Sequence, residues 1–208
     1  MNRAPWLLFL VAVPAFCAEQ DDIVYQNLVQ RVEDGDFTVD FRALRLACIK
    51  SSQCEPRGNK ADLAAMNRAV NDHDPRRVIE TAEHLISLGF VDIEAHATSV
   101  TAYREINDPV KAKFHLDVTT ALLRSILASG DGKTIETAYE VIADREEYDS
   151  LSSLGLPYFG PGITFTKIED GGHHYDKWEI KDPKTGQNVV VFFNTDAFSP
   201  AKSRASDR

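Results

Sequence analysis

The residues best suited to hold a metal ion form one short run, His173-His174-Tyr175-Asp176. In an extended strand, side chains two residues apart point to the same face, so His174 and Asp176 would lie side by side. Zinc binds imidazole and carboxylate groups, and a catalytic zinc site uses three protein ligands and one open position. Glu147 is the candidate for the third ligand. The alternative is a polar hairpin end in which His174 and Asp176 hydrogen-bond to each other.

Two other histidines, His96 and His115, lie on the apolar faces of two neighbouring predicted helices. If these helices pack together, the imidazoles could meet and form a pH-sensitive or acid–base pair. A histidine on an apolar helix face is more often a hydrogen-bonded core residue. Both interpretations stay open at this point.

The N-terminus has the layout of a secretory signal peptide. Arg3 precedes an unbroken apolar run over 6–13, small residues follow, and acidic chain begins at Glu19. Cleavage after Cys17 or Ala18 would remove residues 1–17 or 1–18 and send the protein to the periplasm or out of the cell. The alternative is a lipid anchor on Cys17, which the large Phe16 just before it disfavours.

Removal of the signal peptide leaves two cysteines that could form a disulfide. Of the three in the sequence, only Cys48 and Cys54 remain well inside the chain once the signal is removed. Two cysteines in an oxidising compartment are a candidate disulfide. The alternative is that Cys48 is a small apolar residue on the buried stripe of a helix. An activated catalytic thiolate is disfavoured in the same compartment.

Composition excludes nucleic-acid-binding proteins and membrane-spanning proteins. The 208 residues have a net charge of −9, with 23 Lys and Arg against 32 Asp and Glu. A nucleic-acid-binding protein needs clustered basic residues for phosphate contacts, so that class is excluded. No apolar run reaches the roughly 18 residues of a membrane span. We expect no cofactor.

The pattern of apolar residues predicts an α+β protein, with an antiparallel helical array followed by a small, mostly antiparallel β-sheet with one inserted helix. Asp40, Asp74-Pro75 and Asp108-Pro109 are helix-start signals. The two Asp-Pro pairs stand 34 residues apart, which is the tetratricopeptide period, although the apolar positions of the two copies do not align. The predicted regions are the signal 1–18, helices over 19–130, the sheet region 131–196 with a helix over 145–154, and a flexible tail 197–208.

In the sheet region, strands are expected over 137–143, 163–168, 174–181 and 188–195. Asp144 is expected to cap the inserted helix, with Glu147 as its capping-box partner. Tyr158 and Phe159 lie in the loop after this helix, between residues that break regular structure. They form a candidate interaction surface, or else fill the junction between helix and sheet.

Several short motifs, in order, resemble an uncharacterised family of exported bacterial proteins, domain of unknown function 4919. They are Asp40-Phe41 with Leu44-Arg45, Val91-Asp92-Ile93 with Ala95-His96, Ser129 to Lys133, Thr137 to Ile142, and Glu146-Glu147-Tyr148 with Leu151. The resemblance spans about residues 25–194. It implies no activity and no catalytic residues.

These observations favour a non-enzymatic module that binds a protein or peptide, as an envelope accessory or an immunity-type inhibitor of a secreted toxin. The alternative is a metal-assisted hydrolase that uses His174, Asp176 and Glu147.

Overall fold

The computed structural model describes residues 14–56 and 60–199. Most of the predicted signal peptide and most of the predicted tail, residues 1–13 and 200–208, lie outside the described residues. The side chain of Cys17 also lies outside them, so the lipid-anchor alternative stays a sequence prediction. Within the described residues, no helix is long and apolar enough to cross a membrane.

Six helices make up the N-terminal part of the fold. They are α1 (Pro14–Glu33), α2 (Phe41–Cys48), α3 (Lys60–Asn71), α4 (Pro75–Leu88), α5 (Ile93–Glu105) and α6 (Pro109–Leu127). The first helix begins at Pro14, inside the predicted signal peptide, whereas the helical region was predicted to begin at residue 19. Proline is tolerated in the first turn of a helix because its missing N–H would have no intrahelical partner there.

The predicted helix-start signals are confirmed. The carboxylate of Asp40 accepts from two backbone N–H groups at the start of α2, and Asp74 and Asp108 each accept from one, with proline next in the chain. Capping of this kind contributes about 1 kcal/mol per helix. Helices α3 to α6 pack in sequence order as an antiparallel array.

The C-terminal part is a four-stranded sheet with one helix. Strand β1 (Tyr139–Glu140) is followed by α7 (Asp144–Ser153), β2 (Ile163–Asp170), β3 (His173–Lys181) and β4 (Asn188–Asn194). The strand order is β1-β4-β3-β2, with β1 parallel to β4 and the other pairs antiparallel. The α+β prediction is therefore confirmed, and β2 lies at one edge of the sheet.

Three details of the sheet region differ from the prediction. The first strand is two residues long instead of seven. Helix α7 begins at Asp144, so Ala143 is its N-cap residue and has no side-chain cap bond. Glu147 is turned inward and bonds to Trp178 instead of completing a capping box, because the α7 face that carries it packs on the sheet.

One hydrophobic core joins the helices to the sheet. It includes Leu44 of α2, Leu122 of α6, Leu151 of α7 and Phe193 of β4. Phe198 also packs against this core, so the chain is still held one residue after the predicted start of the tail. The helical and sheet regions are therefore two parts of one packed unit.

A buried ion pair crosses the same junction. Arg45 of α2 is 1% exposed, and its Nε and Nη2 atoms donate to the two carboxylate oxygens of Glu146 at 2.7 and 2.6 Å. Arg45 also donates to the Glu140 carbonyl oxygen at 2.7 Å, and Glu146 accepts the Ile142 N–H at 2.9 Å. Because both charges are paired and hydrogen-bonded, their desolvation is compensated.

Candidate functional site

The three predicted metal ligands are not brought together. His174 Nδ1 lies 3.3 Å from Asp196 Oδ1, and Asp196 also holds the neighbouring His173 at 2.6 Å. This carboxylate, which follows β4, thereby pairs with His174 in place of the expected partner, Asp176. Among residues 14–56 and 60–199, no group of three His, Cys, Asp or Glu residues could hold a metal ion.

Glu147 and Asp176 do meet, as a buried carboxyl pair between α7 and β3. Trp178 Nε1 donates to Glu147 Oε2 at 2.7 Å, and Glu147 is 1% exposed. Burial, together with the negative charge of Asp176, raises the pKa of Glu147 to about 8. The other oxygen, Oε1, has no donor among the described residues. A proton held on Glu147 and donated to Asp176 gives both carboxyl groups a hydrogen-bond partner.

His96 and His115 also meet, at the packed interface of α5 and α6. Their Nδ1 atoms are 2.9 Å apart, and His96 Nε2 lies 2.9 Å from the backbone carbonyl oxygen of Phe90. A carbonyl only accepts, so His96 Nε2 carries the proton and donates. His96 Nδ1 must then accept from the Nδ1–H of His115. The Nε2 atom of a neutral His115 is consequently an acceptor.

Burial keeps both histidines neutral. It lowers the pKa of His96 to about 3, with a further contribution from His115, and it lowers the pKa of His115. Near His115, the carboxylate of Glu83 opposes this effect and the ammonium of Lys111 adds to it. Where they face each other and Phe90, the two histidines are hydrogen-bonded core residues, which is the alternative that the sequence left open.

On its other side, His115 lines a pocket of about 760 Å³ between α1, α4, α5 and α6. The ring of Tyr103 stacks on the ring of His115, with centroids 5.3 Å apart. The Tyr103 hydroxyl donates to Glu83 and accepts from Lys111 Nζ at 3.2 Å. We call this space the helical pocket. It combines aromatic walls with a few converging polar groups, which is typical of a ligand-binding site.

The predicted interaction surface belongs to a row of five aromatic rings. Phe159, Tyr158, Tyr148, Trp178 and Phe165 contact one another in that order, with successive ring centroids 5.0 to 5.9 Å apart. They line an open pocket of about 360 Å³, and Phe159 is 77% exposed. We call these five residues the aromatic patch. The rings of Tyr158 and Phe159 therefore do not simply fill the junction between helix and sheet.

Cys48 and Cys54 are joined by a disulfide. The bridge ties the C-terminal end of α2 to the segment before α3, and both residues belong to the hydrophobic core. Cys48 is thus both bonded and on the buried stripe that the alternative interpretation assigned to it.

Removing this disulfide should have a modest effect. The bond closes a loop of seven residues, since the sequence separation is 6, and chain entropy then gives about 2 kcal/mol. We expect a Cys48→Ala, Cys54→Ala double variant to lose about this much free energy of unfolding in urea denaturation. Treating the wild-type protein with reductant should cause the same loss. A double variant as stable as the wild type would show that the bond is absent in solution.

Sequence reasoning missed the Arg45–Glu146 pair and the grouping of Tyr103, Glu83 and Lys111 beside His115. One available signal was that Arg45 lies beside the apolar stripe of α2, between Leu44 and Cys48, in a helix of only eight residues. Another was the pair Lys111 and His115, which lie one turn apart on α6. The remaining partners come from other elements, which the spacing of residues does not reveal.

A family model described as a domain of unknown function, DUF4919, matches residues 17–196. No curated protein and no solved structure matches the chain.

Proposed function

The chain belongs to the DUF4919 family, and because that family has no described activity, we propose a function from the geometry: a non-enzymatic module that binds an extended peptide segment of another protein. The segment would add a strand to the outer edge of β2, which pairs with no strand among the described residues, and insert apolar side chains into the aromatic patch. The observation that carries this proposal is that the outward-facing backbone of β2 lies beside those rings.

The backbone groups on the outer edge of β2 can be assigned residue by residue. Lys181 N–H donates to the carbonyl oxygen of Gly162, one position before the first residue pair of β2 and β3. Bonded and non-bonded pairs alternate along an antiparallel ladder, so Ile163, Phe165 and Lys167 are in non-bonded pairs. Their N–H and C=O groups therefore point away from β3, where an added strand would bind them.

The aromatic patch provides the side-chain contacts. The side chains of Phe165 and Trp178 share one face of the sheet, and Phe159 extends the row of rings beyond it. A strand added next to Phe165 would place alternate side chains on that same face. The open space of about 360 Å³ suits a large apolar side chain. Exposed aromatic rings of this kind supply much of the binding energy at protein interfaces.

We further propose that the protein acts outside the cytoplasm, as an envelope accessory or an immunity-type inhibitor. The signal-like sequence of residues 1–18 supports this location. The Cys48–Cys54 disulfide supports it independently, because such bonds persist in oxidising compartments. Fractionation of cells and mass measurement of the processed N-terminus would test it.

The binding proposal predicts the relative peptide affinities of the wild type and three variants. Peptides would be selected from a random display library on the immobilised wild-type protein, and their affinity measured by fluorescence anisotropy. We expect Phe159→Ser to weaken binding at least about tenfold, because it removes the most exposed ring. Lys167→Pro should weaken it similarly, because it removes an outward N–H that the β2–β3 ladder does not use.

Lys167→Ala is the matched control for the proline variant. It removes the same side chain but keeps the N–H, and should change the affinity by no more than about twofold, since the side chain is largely exposed. Circular dichroism would check that each variant keeps the wild-type fold. A library that yields no peptide, or peptides that bind Phe159→Ser and Lys167→Pro as tightly as wild type, would contradict the proposal.

A further inference from the structure

We propose that the helical pocket is a second binding site, for a small primary amine with an apolar or aromatic tail, and that its ammonium group binds between His115 Nε2 and the Glu83 carboxylate. This site shares no lining residue with the aromatic patch. The inference therefore does not rest on the proposed peptide-binding function.

The first argument is that hydrogen bonds fix which ring nitrogen of His115 carries the proton. The carbonyl oxygen of Phe90 holds the proton of His96 on Nε2, and this in turn holds the proton of His115 on Nδ1. Nε2 of His115 has no hydrogen bond to any described residue, and this atom is not fully buried. An acceptor thus faces a pocket large enough for a ligand, and the ligand must present a donor to it.

The second argument is the charge around this acceptor. Four elements contribute titratable groups to the pocket: Tyr25 and Glu33 from α1, Glu83 from α4, His96 and Tyr103 from α5, and Lys111 with His115 from α6. Both histidines are neutral, so two carboxylates face one ammonium. Lys111 is already bound by the Tyr103 hydroxyl at 3.2 Å and by Glu83 at 3.8 Å. The remaining negative charge favours a cationic ligand.

The third argument is the apolar wall of the pocket. Tyr25, Phe90, Tyr103 and Phe114 bring four aromatic rings to its surface. Aromatic faces attract ammonium groups and also bury an apolar tail, so one ligand could satisfy the rings, the carboxylates and His115 together. A simple carboxylic acid could satisfy only Lys111 and would meet Glu33 and Glu83 with like charge.

Binding of this ligand should depend on pH in one direction. Neutral His115 accepts a hydrogen bond, whereas protonated His115 donates one and repels an ammonium group. Burial lowers the pKa of His115, so the acceptor form is complete at neutral pH. Affinity should be constant near pH 7 to 8 and fall in acid, where His115 takes up a proton and Nε2 becomes a donor.

The test uses 2-phenylethylamine as the probe and 3-phenylpropanoate as its charge-reversed counterpart, each titrated calorimetrically into the full protein at pH 7.5. We expect the amine to bind and the acid not to bind. His115→Asn keeps an N–H donor for His96 but has no counterpart of Nε2, and it should weaken the amine at least about tenfold. Glu83→Gln should weaken it by a similar factor.

Glu80→Gln is the matched control, because it removes the same charge from α4 at an exposed position that does not line the pocket. It should leave the affinity unchanged. If His115→Asn fails to fold, Glu83→Gln decides the result, since Glu83 is half exposed. Three results would overturn the proposal: no amine binding, tighter binding of the acid, or equal binding of the amine to wild type and Glu83→Gln.

Discussion

Replacing Arg45 by methionine is expected to lower the free energy of unfolding by about 3–5 kcal/mol, because it leaves the Glu146 charge buried without its partner. Arg45 and Glu146 are 1% and 4% exposed. The substitution also removes the donor to the Glu140 carbonyl oxygen, at the start of the sheet region. Urea denaturation followed by circular dichroism would measure the loss.

The chain offers a close control for this variant. Arg42 lies on the same helix and pairs with Glu140 at 2.6 Å, but its side chain is 53% exposed. Arg42→Met should cost no more than about 1 kcal/mol. Adding Glu146→Gln to Arg45→Met removes the unpaired charge but keeps an acceptor for the Ile142 N–H, so it should restore part of the stability. Equal losses in Arg42→Met and Arg45→Met would contradict the buried-pair interpretation.

Glu147→Gln should remove a large part of the pH dependence of stability. In the folded protein burial raises the pKa of Glu147 to about 8, from 4.5 when exposed. The folded state therefore holds a proton that the unfolded state releases, so its contribution is full below about pH 4.5. It is lost as the pH rises toward 8, by on the order of 5 kcal/mol in total. Glutamine cannot titrate, and its amide donates to Asp176 while its oxygen accepts from Trp178.

The measurement is the free energy of unfolding of both proteins between pH 4.5 and 9. Relative to wild type, the variant should gain stability as the pH rises from 4.5 to about 8, and the difference between the two proteins should stay constant above pH 8. Asp149 provides a control, because burial raises its pKa to about 8 as well, on the opposite side of α7. Asp149→Asn should remove a separate part of the slope. Parallel curves for wild type and Glu147→Gln would contradict the shared-proton pair.

Local signals in the sequence predicted more of this fold than of its sites. The caps Asp40, Asp74 and Asp108 act on backbone groups two or three residues away, so they can be recognised from neighbours in the chain. The disulfide was predicted from the two cysteines left after the signal peptide, and they are only 6 positions apart. These interactions are decided within one or two helical turns.

The sites depend on contacts that local spacing does not contain. Glu147 was expected to cap its own helix, yet it bonds to Trp178, 31 residues away. His174 was expected to meet Asp176 two residues on, yet Asp196 is its partner. In each case the partner lies at least 22 positions farther along the chain, in or just after a later strand. The contact between His96 and His115 could be predicted only on the condition that their two helices pack together.

The position of β4 has a consequence for how the chain acquires its structure. Among the strands that the structure describes, β4 comes last along the chain, yet it lies between β1 and β3, and its Phe192 N–H donates to the carbonyl oxygen of Gly132. The sheet therefore cannot assemble while residues 188–194 are still being synthesised, whereas the local contacts of the helical array form early. Until residues 188–194 have been synthesised, the growing chain lacks the strand that joins β1 to β3.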